Sequence, residues 1–212
     1  MGTPLTIACV YRPGGGFSND YVLRLRTSVA KFCSIPHRFV CLTNQKIEGI
    51  ETIPFKNNWM GWWSKLELFR PGLFEGKVAY FDLDTMFASD MTDMLEPHYD
   101  FACGTNWKGP GTHIHSGIMF WDSAIDFSMI PNSFTTSVIP EYEKTWEKWG
   151  DQGFIQEHLP VKFESLNERF PGRIVSYKWH VRRPGRVPEG ASVVCFHGKP
   201  RPHEVNWQLP NG

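Results

Sequence analysis

The segment that most narrowly limits the fold lies near the start of the chain, where an apolar run precedes a glycine loop and an amphipathic helix. The run Leu5–Val10 predicts a buried first strand, and the loop Arg12-Pro-Gly-Gly-Gly16 breaks it. Ser18 can then cap a helix. The apolar residues of that helix recur at helical spacing, at Val22, Leu25, Val29 and Phe32. A strand, a loop and a helix in this order are typical of the first unit of an α/β domain.

The same alternation continues through the rest of the chain. Predicted strands cover residues 38–42, 50–53, 78–81, 99–103, 117–121, 174–177 and 193–196, and predicted helices cover residues 63–69, about 140–149 and a segment opening at Asp151. The helix at 140–149 places Tyr142, Trp146 and Trp149 on one face. Because the sequence has neither repeats nor low-complexity linkers, we expect one α/β domain over residues 1–212, with a mostly parallel central sheet flanked by helices.

Composition excludes several classes of protein. Hydrophobic residues make up 41% and charged residues 21%, which excludes disordered and fibrous chains. Lys plus Arg and Asp plus Glu both number 22, so no global positive field holds a polyanion, and any nucleic-acid contact must be local. Nine Trp, 16 Phe and six Tyr predict a large core and a cleft that stacks on a ligand. The positions of Trp62 and Trp63 fit either the core or the cleft.

The five cysteines indicate a reducing compartment. They are odd in number, form no C-x-x-C pair, and four of them lie in apolar, strand-like runs. The first residues lack a charged and apolar leader, and no stretch approaches 18 apolar residues. We therefore expect a soluble, cytoplasmic protein with no transmembrane segment.

Asp82-Leu83-Asp84 is the most informative tripeptide, because it directly follows the apolar run at residues 78–81. In an extended chain the two carboxylates share a face while Leu83 points to the core. Carboxylates at the end of a buried strand suit Mg²⁺ or Mn²⁺, which bind one or two acids and leave further positions to water and phosphates. The tripeptide alone also fits a turn with solvated acids.

The surroundings of this tripeptide resemble the core of the family 8 glycosyltransferases, which include glycogenin. In that family a helix carrying Lys or Arg precedes an aromatic strand that ends in D-x-D, as Trp62-Trp63-Ser64-Lys65 precedes Tyr80-Phe81-Asp82 here. Three further motifs follow in the family's order. They are Ser116-Gly117-Ile118-Met119, similar to its NSGV strand, Gly150-Asp151-Gln152, similar to its DQ helix start, and Phe196-His197-Gly198-Lys199-Pro200, similar to its C-terminal H-x-x-G-x-x-KPW motif. Together they span residues 5–203.

The resemblance implies a GT-A fold, in which a Rossmann-like sheet binds a nucleotide sugar, usually a UDP-sugar, through Mn²⁺ or Mg²⁺ at the D-x-D. By position it implies Asp82, Asp84 and His197 as metal ligands, Lys65, Gly198 and Lys199 as contacts of the donor, and Val10 and Tyr11 at the uracil and ribose. Asp151 and Gln152 would lie beside the transferred sugar, although Asp151 also fits the start of a helix. The resemblance further implies transfer of a hexose with retention of configuration.

The nature of the acceptor stays open at this stage. Residues 173–203 hold seven Lys or Arg against one acid, Glu189, which fits a polyanionic acceptor such as nucleic acid or a phosphorylated glycan, or a solvated loop. Two other functions also remain. One is a nucleotidyltransferase on a related sheet, although residues 12–16 lack its usual glycine-rich pattern, and the other is a non-catalytic module that binds sugar or nucleic acid.

Overall fold

A computed structural model of the chain describes residues 3–107, 111–143, 148–205 and 207. The strands are β1 (Leu5–Val10), β2 (Arg38–Leu42), β3 (Glu51–Ile53), β4 (Lys77–Phe81), β5 (Thr85–Phe87), β6 (Phe101–Thr105), β7 (Ile114–Asp122), β8 (Glu164–Ser165), β9 (Ile174–Ser176) and β10 (Val193–Cys195). The α-helices are α1 (Asn19–Phe32), α2 (Thr92–Leu95), α3 (Met129–Ser133), α4 (Ile139–Glu143), α5 (Asp151–Glu157) and α6 (Leu166–Arg169). The 3₁₀ segments are Gly61–Phe69, Thr136–Val138 and Pro202–Val205, and Tyr177–Val181 forms a π-helical turn.

A seven-stranded sheet in the order β3-β2-β1-β4-β7-β6-β8 forms the centre of the molecule. Strands β1 to β4 pair in parallel, and β7 is antiparallel to both of its neighbours, so the other six strands all point the same way. A second sheet has the order β5-β10-β9. The predicted α/β architecture with a mostly parallel central sheet is therefore confirmed.

Alternating side chains of the central strands build a core on each face of the large sheet. In β1, Ile7 and Cys9 pack in one cluster with the apolar face of α1, whereas Ala8 packs in the other with Trp63 and Phe154. This alternation follows from the two-residue period of a strand that is buried on both sides. All five cysteines are buried and unpaired, in agreement with reduced thiols. Within the described ranges, no helix is long and apolar enough to cross a membrane.

Local details differ from the sequence predictions at several places. The helix expected at residues 140–149 is wrong in extent, because residues 148–150 form a turn. Trp146 lies outside the described residues. The strand expected at 99–103 begins two residues later, as β6. The Ser18 hydroxyl bonds to Asp20 at 3.1 Å instead of capping α1. A further difference concerns the Asp82 tripeptide.

Candidate active site

The tripeptide Asp82-Leu83-Asp84 forms a turn between β4 and β5. The amide of Thr85 donates to the carbonyl of Asp82 at 2.9 Å, so the expectation of an extended tripeptide is wrong. Leu83 is nevertheless buried in the core, as predicted. The carboxylate of Asp82 is one of the causes that raise the pKa of Asp84, so the two acids still act on each other across the turn. The turn therefore keeps both acids at the carboxyl end of β4.

The reversal of β7 brings a second motif to the same edge of the sheet. Because β7 is antiparallel to β4, its first residues lie beside the last residues of β4, with Ile118 opposite Phe81. The amide of Asp82 donates to the carbonyl of Gly117 at 2.9 Å. A Cβ at Gly117 would lie 2.6 Å from Cε1 of His115 and 3.1 Å from Oδ2 of Asp82. The glycine is required by this close approach.

Lys65 connects three of the sequence motifs. Its Nζ lies 2.8 Å from Oδ2 of Asp151 and 3.2 Å from Oδ1 of Asp82, and it donates to the Ser116 hydroxyl at 3.0 Å. The Ser116 hydroxyl in turn donates to Asp151 at 2.9 Å. An ammonium has three N–H groups, and three acceptors surround this one. Lys65 thus fixes Asp82 and Asp151 to each other.

Electrostatics keep this buried ammonium charged. The Lys65 side chain is only 5% exposed. Burial by itself would lower the pKa of Lys65, but the carboxylates of Asp151 and Asp82 raise it above its ordinary value. Tyr80 also donates its hydroxyl to Asp82, and burial followed by this carboxylate raises the pKa of the phenol well above its usual range. Asp82 is therefore held from two sides.

Asp84 has a different partner, Arg201. The Arg201 guanidinium pairs with Oδ2 of Asp84 and lies 4.1 Å over the ring of Phe17. Burial, and then the neighbouring Asp82, raise the pKa of Asp84 to about 7, although Arg201 opposes that shift. His203, two residues further along, contacts the Tyr21 hydroxyl and so ties this segment to α1. A cation from the far end of the described chain thus neutralises the second acid of the tripeptide.

His197 lies in an aromatic cluster beside β7. Its Nε2 is 2.6 Å from the Ser176 hydroxyl, and its ring stacks on Trp107 with a centroid distance of 4.9 Å. The His115 ring lies 6.0 Å from it. Burial, followed by Lys178 and His180, lowers the pKa of His197 to about 4, and burial lowers the pKa of His115 to about 3. Both imidazoles are neutral at pH 7, which is the form that can bind a metal.

The fit of a divalent cation can be judged from these donors. Two interacting carboxylates, of which Asp84 has a raised pKa, suit a hard cation that takes one or two acids and completes its shell with phosphate and water. Among residues 3–107, 111–143, 148–205 and 207, no three His, Cys, Asp or Glu side chains stand together as a metal cluster. The two carboxylates therefore fit a divalent cation, whereas His197 does not form a three-ligand cluster with them.

The other predicted donor contacts lie at the same edge or on the segment after β10. Val10 ends β1, and the amide of Tyr11 donates to the carbonyl of Leu42 at 2.9 Å. Gly198 has a φ of +84°, which favours glycine, and a Cβ there would lie 3.3 Å from Nζ of Lys178. The Lys199 side chain is 85% exposed. Gln152 occupies the first turn of α5, next to Asp151.

Sequence reasoning missed two participants of this site. Ser116 was assigned only to a strand motif, yet its hydroxyl bridges Lys65 and Asp151. Arg201 is one of the basic residues of 173–203, and no motif predicts its pairing with Asp84. The only signal for Arg201 was its place directly after the His197 motif. The partner of a cation that lies 117 residues away along the chain cannot be inferred from spacing.

Comparison with known proteins relates the chain to glycosyltransferases by fold. No protein-family model matches the sequence, and no curated protein matches it. The glycosyltransferase GlyE of Streptococcus pneumoniae TIGR4 superposes with a TM-score of 0.61 at 14% identity, covering 95% of this chain and 56% of that one. The galactosyltransferase LgtC, in complex with donor and acceptor sugar analogues, superposes with a TM-score of 0.62 at 13% identity, covering 93% and 88%.

An active-site mutant of LgtC gives a TM-score of 0.61 at 12% identity over 93% of this chain and 89% of that one. The chain thus spans little more than half the length of GlyE and most of the length of LgtC. At these identities the comparisons show the fold alone. That fold is the GT-A fold of glycosyltransferases, with its mostly parallel sheet between helices.

Proposed function

We propose that this protein is a metal-dependent glycosyltransferase that moves a hexose from a UDP-sugar to an acceptor with retention of configuration. The observation that supports it best is the joining of Asp82 and Asp151 by Lys65. These three residues come from three separate motifs of the sequence. They meet at the carboxyl end of β4, in a fold that glycosyltransferases share. Open α/β sheets bind ligands at this edge.

Asp82 and Asp84 would hold Mn²⁺ or Mg²⁺ together with the donor diphosphate. The metal would act as a Lewis acid that stabilises the negative charge on the departing nucleoside diphosphate. Lys199 supplies a positive charge on an exposed side chain that can reach a phosphate. Val10 and Tyr11, at the end of β1, would flank the uracil and ribose.

Asp151 and Gln152 would bind the sugar that is transferred. Lys65 and Ser116 both contact Oδ2 of Asp151, so these two contacts hold the carboxylate through one of its oxygens. An oriented carboxylate of this kind can accept a hydrogen bond from a sugar hydroxyl. The amide of Gln152 would lie near the anomeric carbon, and the retaining outcome rests on the family resemblance at this position.

The test is a panel of nucleotide sugars, each with Mn²⁺, scored for thermal stabilisation and for release of nucleotide. We expect a UDP-sugar to raise the melting temperature of the wild type and to be hydrolysed slowly. Asp84→Ala should abolish both the stabilisation and the hydrolysis. The variant should stay folded, because Asp84 contributes to the candidate site and not to the packing of the apolar core. Asp100→Ala, which removes an exposed acid that lies 3.5 Å from Nε2 of His98, is the matched control.

The outcomes separate the rival functions. Pyrophosphate released from a nucleoside triphosphate, with no nucleotide sugar consumed, would identify a nucleotidyltransferase. Stabilisation by sugars without turnover of any donor would identify a binding module. An Asp84→Ala variant with unchanged Mn²⁺-dependent UDP affinity in a calorimetric titration would refute the assignment of the metal ligands.

A further inference from the structure

Exposure changes sharply along the 3₁₀ helix Gly61–Phe69. Trp62 is 56% exposed, whereas Trp63 is 3% and Lys65 is 4% exposed. Trp63 is a core residue, since it stacks on Phe134 at 4.9 Å and donates its indole N–H to Glu143 at 3.0 Å. The first two residues of the helix, Gly61 and Trp62, are therefore exposed. Every residue from Trp63 to Phe69 is buried, including Lys65 of the candidate site.

The indole of Trp62 lies against the backbone that leads into Asp151. A Cβ at Gly150 would lie 3.1 Å from Nε1 and 3.5 Å from Cε2 of Trp62, so a side chain there would press on this ring, and the φ of +67° also favours glycine. Trp62 also precedes Lys65 by three residues, which is one turn of a 3₁₀ helix, or about 6 Å along its axis. Trp62 thus lies one turn before Lys65 on the same helix and, unlike Lys65, is exposed to solvent.

A second tryptophan flanks the same glycine. Trp149 is 37% exposed and has a φ of +51°. Within the described part of the chain it is the one non-glycine residue in the left-handed region. Such backbone strain is typically found at functional sites. The turn therefore keeps a large aromatic side chain at the surface, two residues before Asp151.

We infer that Trp62 and Trp149 form a stacking platform for the acceptor, and that the acceptor presents an uncharged sugar ring. This inference rests on the proposed function, because it assigns the acceptor side of the same site. Exposed indoles beside a polar site bind ligands that offer an apolar face and polar edges. A pyranose ring, with its C–H face and equatorial hydroxyls, has this character.

The charges around the platform favour a neutral ligand over a polyanion. Gly150 donates its amide to the carbonyl of Tyr142 at 3.0 Å, which places the platform next to α4. The described residues of α4 and α5 include the carboxylates of Glu141, Glu143 and Glu157. Lys148, on the intervening turn, pairs with Glu141. A phosphorylated chain would meet like charge here.

The test is binding to an array of neutral and anionic oligosaccharides in the presence of UDP and Mn²⁺. We expect the wild type to bind neutral glycans and Trp62→Ala to bind them at least about tenfold more weakly. Trp62→Phe retains a stacking ring and should stay within about threefold of the wild type. Met129→Ala removes a side chain that is 59% exposed on α3 and serves as the control.

Binding to anionic glycans alone, to no glycan, or equally by the wild type and Trp62→Ala would overturn the inference. Melting temperatures identify any variant that fails to fold, and Trp62→Phe keeps the comparison informative in that case. The panel of nucleotide sugars tests the proposed function independently of glycan binding. Nucleotide release with Trp62-independent glycan binding would leave the proposed function standing and refute the platform. Glycan binding that depends on Trp62, without turnover of any donor, would support the platform and refute the proposed function.

Discussion

The guanidinium of Arg201 pairs with the carboxylate of Asp84, which connects the segment after β10 to the turn after β4 across 117 residues of sequence. Asp84 is nine-tenths buried and has a second acid, Asp82, beside it. Arg201 is therefore the counter-ion that makes an ionised Asp84 tolerable in this position. A metal ion at the two acids would compete with it.

The raised pKa of Asp84 predicts a specific dependence of stability on pH. Its folded pKa of about 7 lies above the ordinary value of 3.8, so on raising the pH the unfolded chain releases this proton first. In buffer with EDTA, the free energy of unfolding of the wild type should fall relative to that of Asp84→Asn between about pH 4 and pH 7. The expected loss is about 4 kcal/mol at most. Denaturant titrations across this range measure it, and a pH-independent difference would contradict the shift.

Lys65→Met should be strongly destabilising. It leaves the carboxylates of Asp82 and Asp151 without their shared cation in a buried site, at a cost of about 3 to 5 kcal/mol. Adding Asp151→Asn should recover part of this loss, because the second change removes one of the unpaired charges. Lys46→Met, at an exposed position, should change the unfolding free energy by less than about 0.5 kcal/mol. Equal effects of the two Lys changes would rule out a structural role for the Lys65 network.

Lys199→Ala should weaken UDP binding without affecting the fold. The side chain is 85% exposed, so its removal costs little packing, but one charge-assisted contact to phosphate is worth about 1.5 to 3 kcal/mol. Calorimetric titration with UDP and Mn²⁺ measures the loss, with Lys46→Ala as the control. An unchanged affinity for UDP would indicate that Arg201, and not Lys199, contacts the phosphate.

The basic surplus at residues 173–203 can be tested with Arg182→Glu combined with Arg183→Glu. Arg173 already pairs with Asp93 at 2.7 Å and Arg201 pairs with Asp84, so part of the surplus is neutralised within the fold. For a neutral acceptor, we expect the double variant to keep the acceptor KM of the wild type. Transfer should also stay nearly constant between about 50 and 300 mM salt. A steep fall with salt, or a raised acceptor KM in the double variant, would instead indicate a polyanionic acceptor.

The sequence predicts the elements whose signals are local. β1, β2 and α5 begin where the apolar pattern and the Gly150-Asp151 boundary predict, because strand period, helix period and glycine all act within a few residues. The helix at 140–149 fails for the complementary reason. Its apolar residues recur at helical spacing. However, Trp149 and Gly150 both have left-handed backbone conformations, so the chain turns there instead of continuing as a helix.

The candidate site is predictable as a set of residues and not as a set of contacts. Asp82, Lys65 and Asp151 each stand in a motif, so their identities can be proposed from the sequence alone. Their meeting depends on β7 running antiparallel beside β4, which no single motif encodes. The exposure of Trp62 likewise follows from how the 3₁₀ helix enters the core, and its neighbour Trp63 has the same local signal.

The pairing of Arg201 with Asp84 also bears on how the chain tolerates truncation. Exposed terminal residues can usually be trimmed without consequence, because nothing else depends on them. Here a stop codon placed between residues 196 and 200 would spare the described strands of both sheets and the Lys65 network, yet would strip a buried acid of its counter-ion. A nonsense or frameshift change there would therefore act as a lesion of the site.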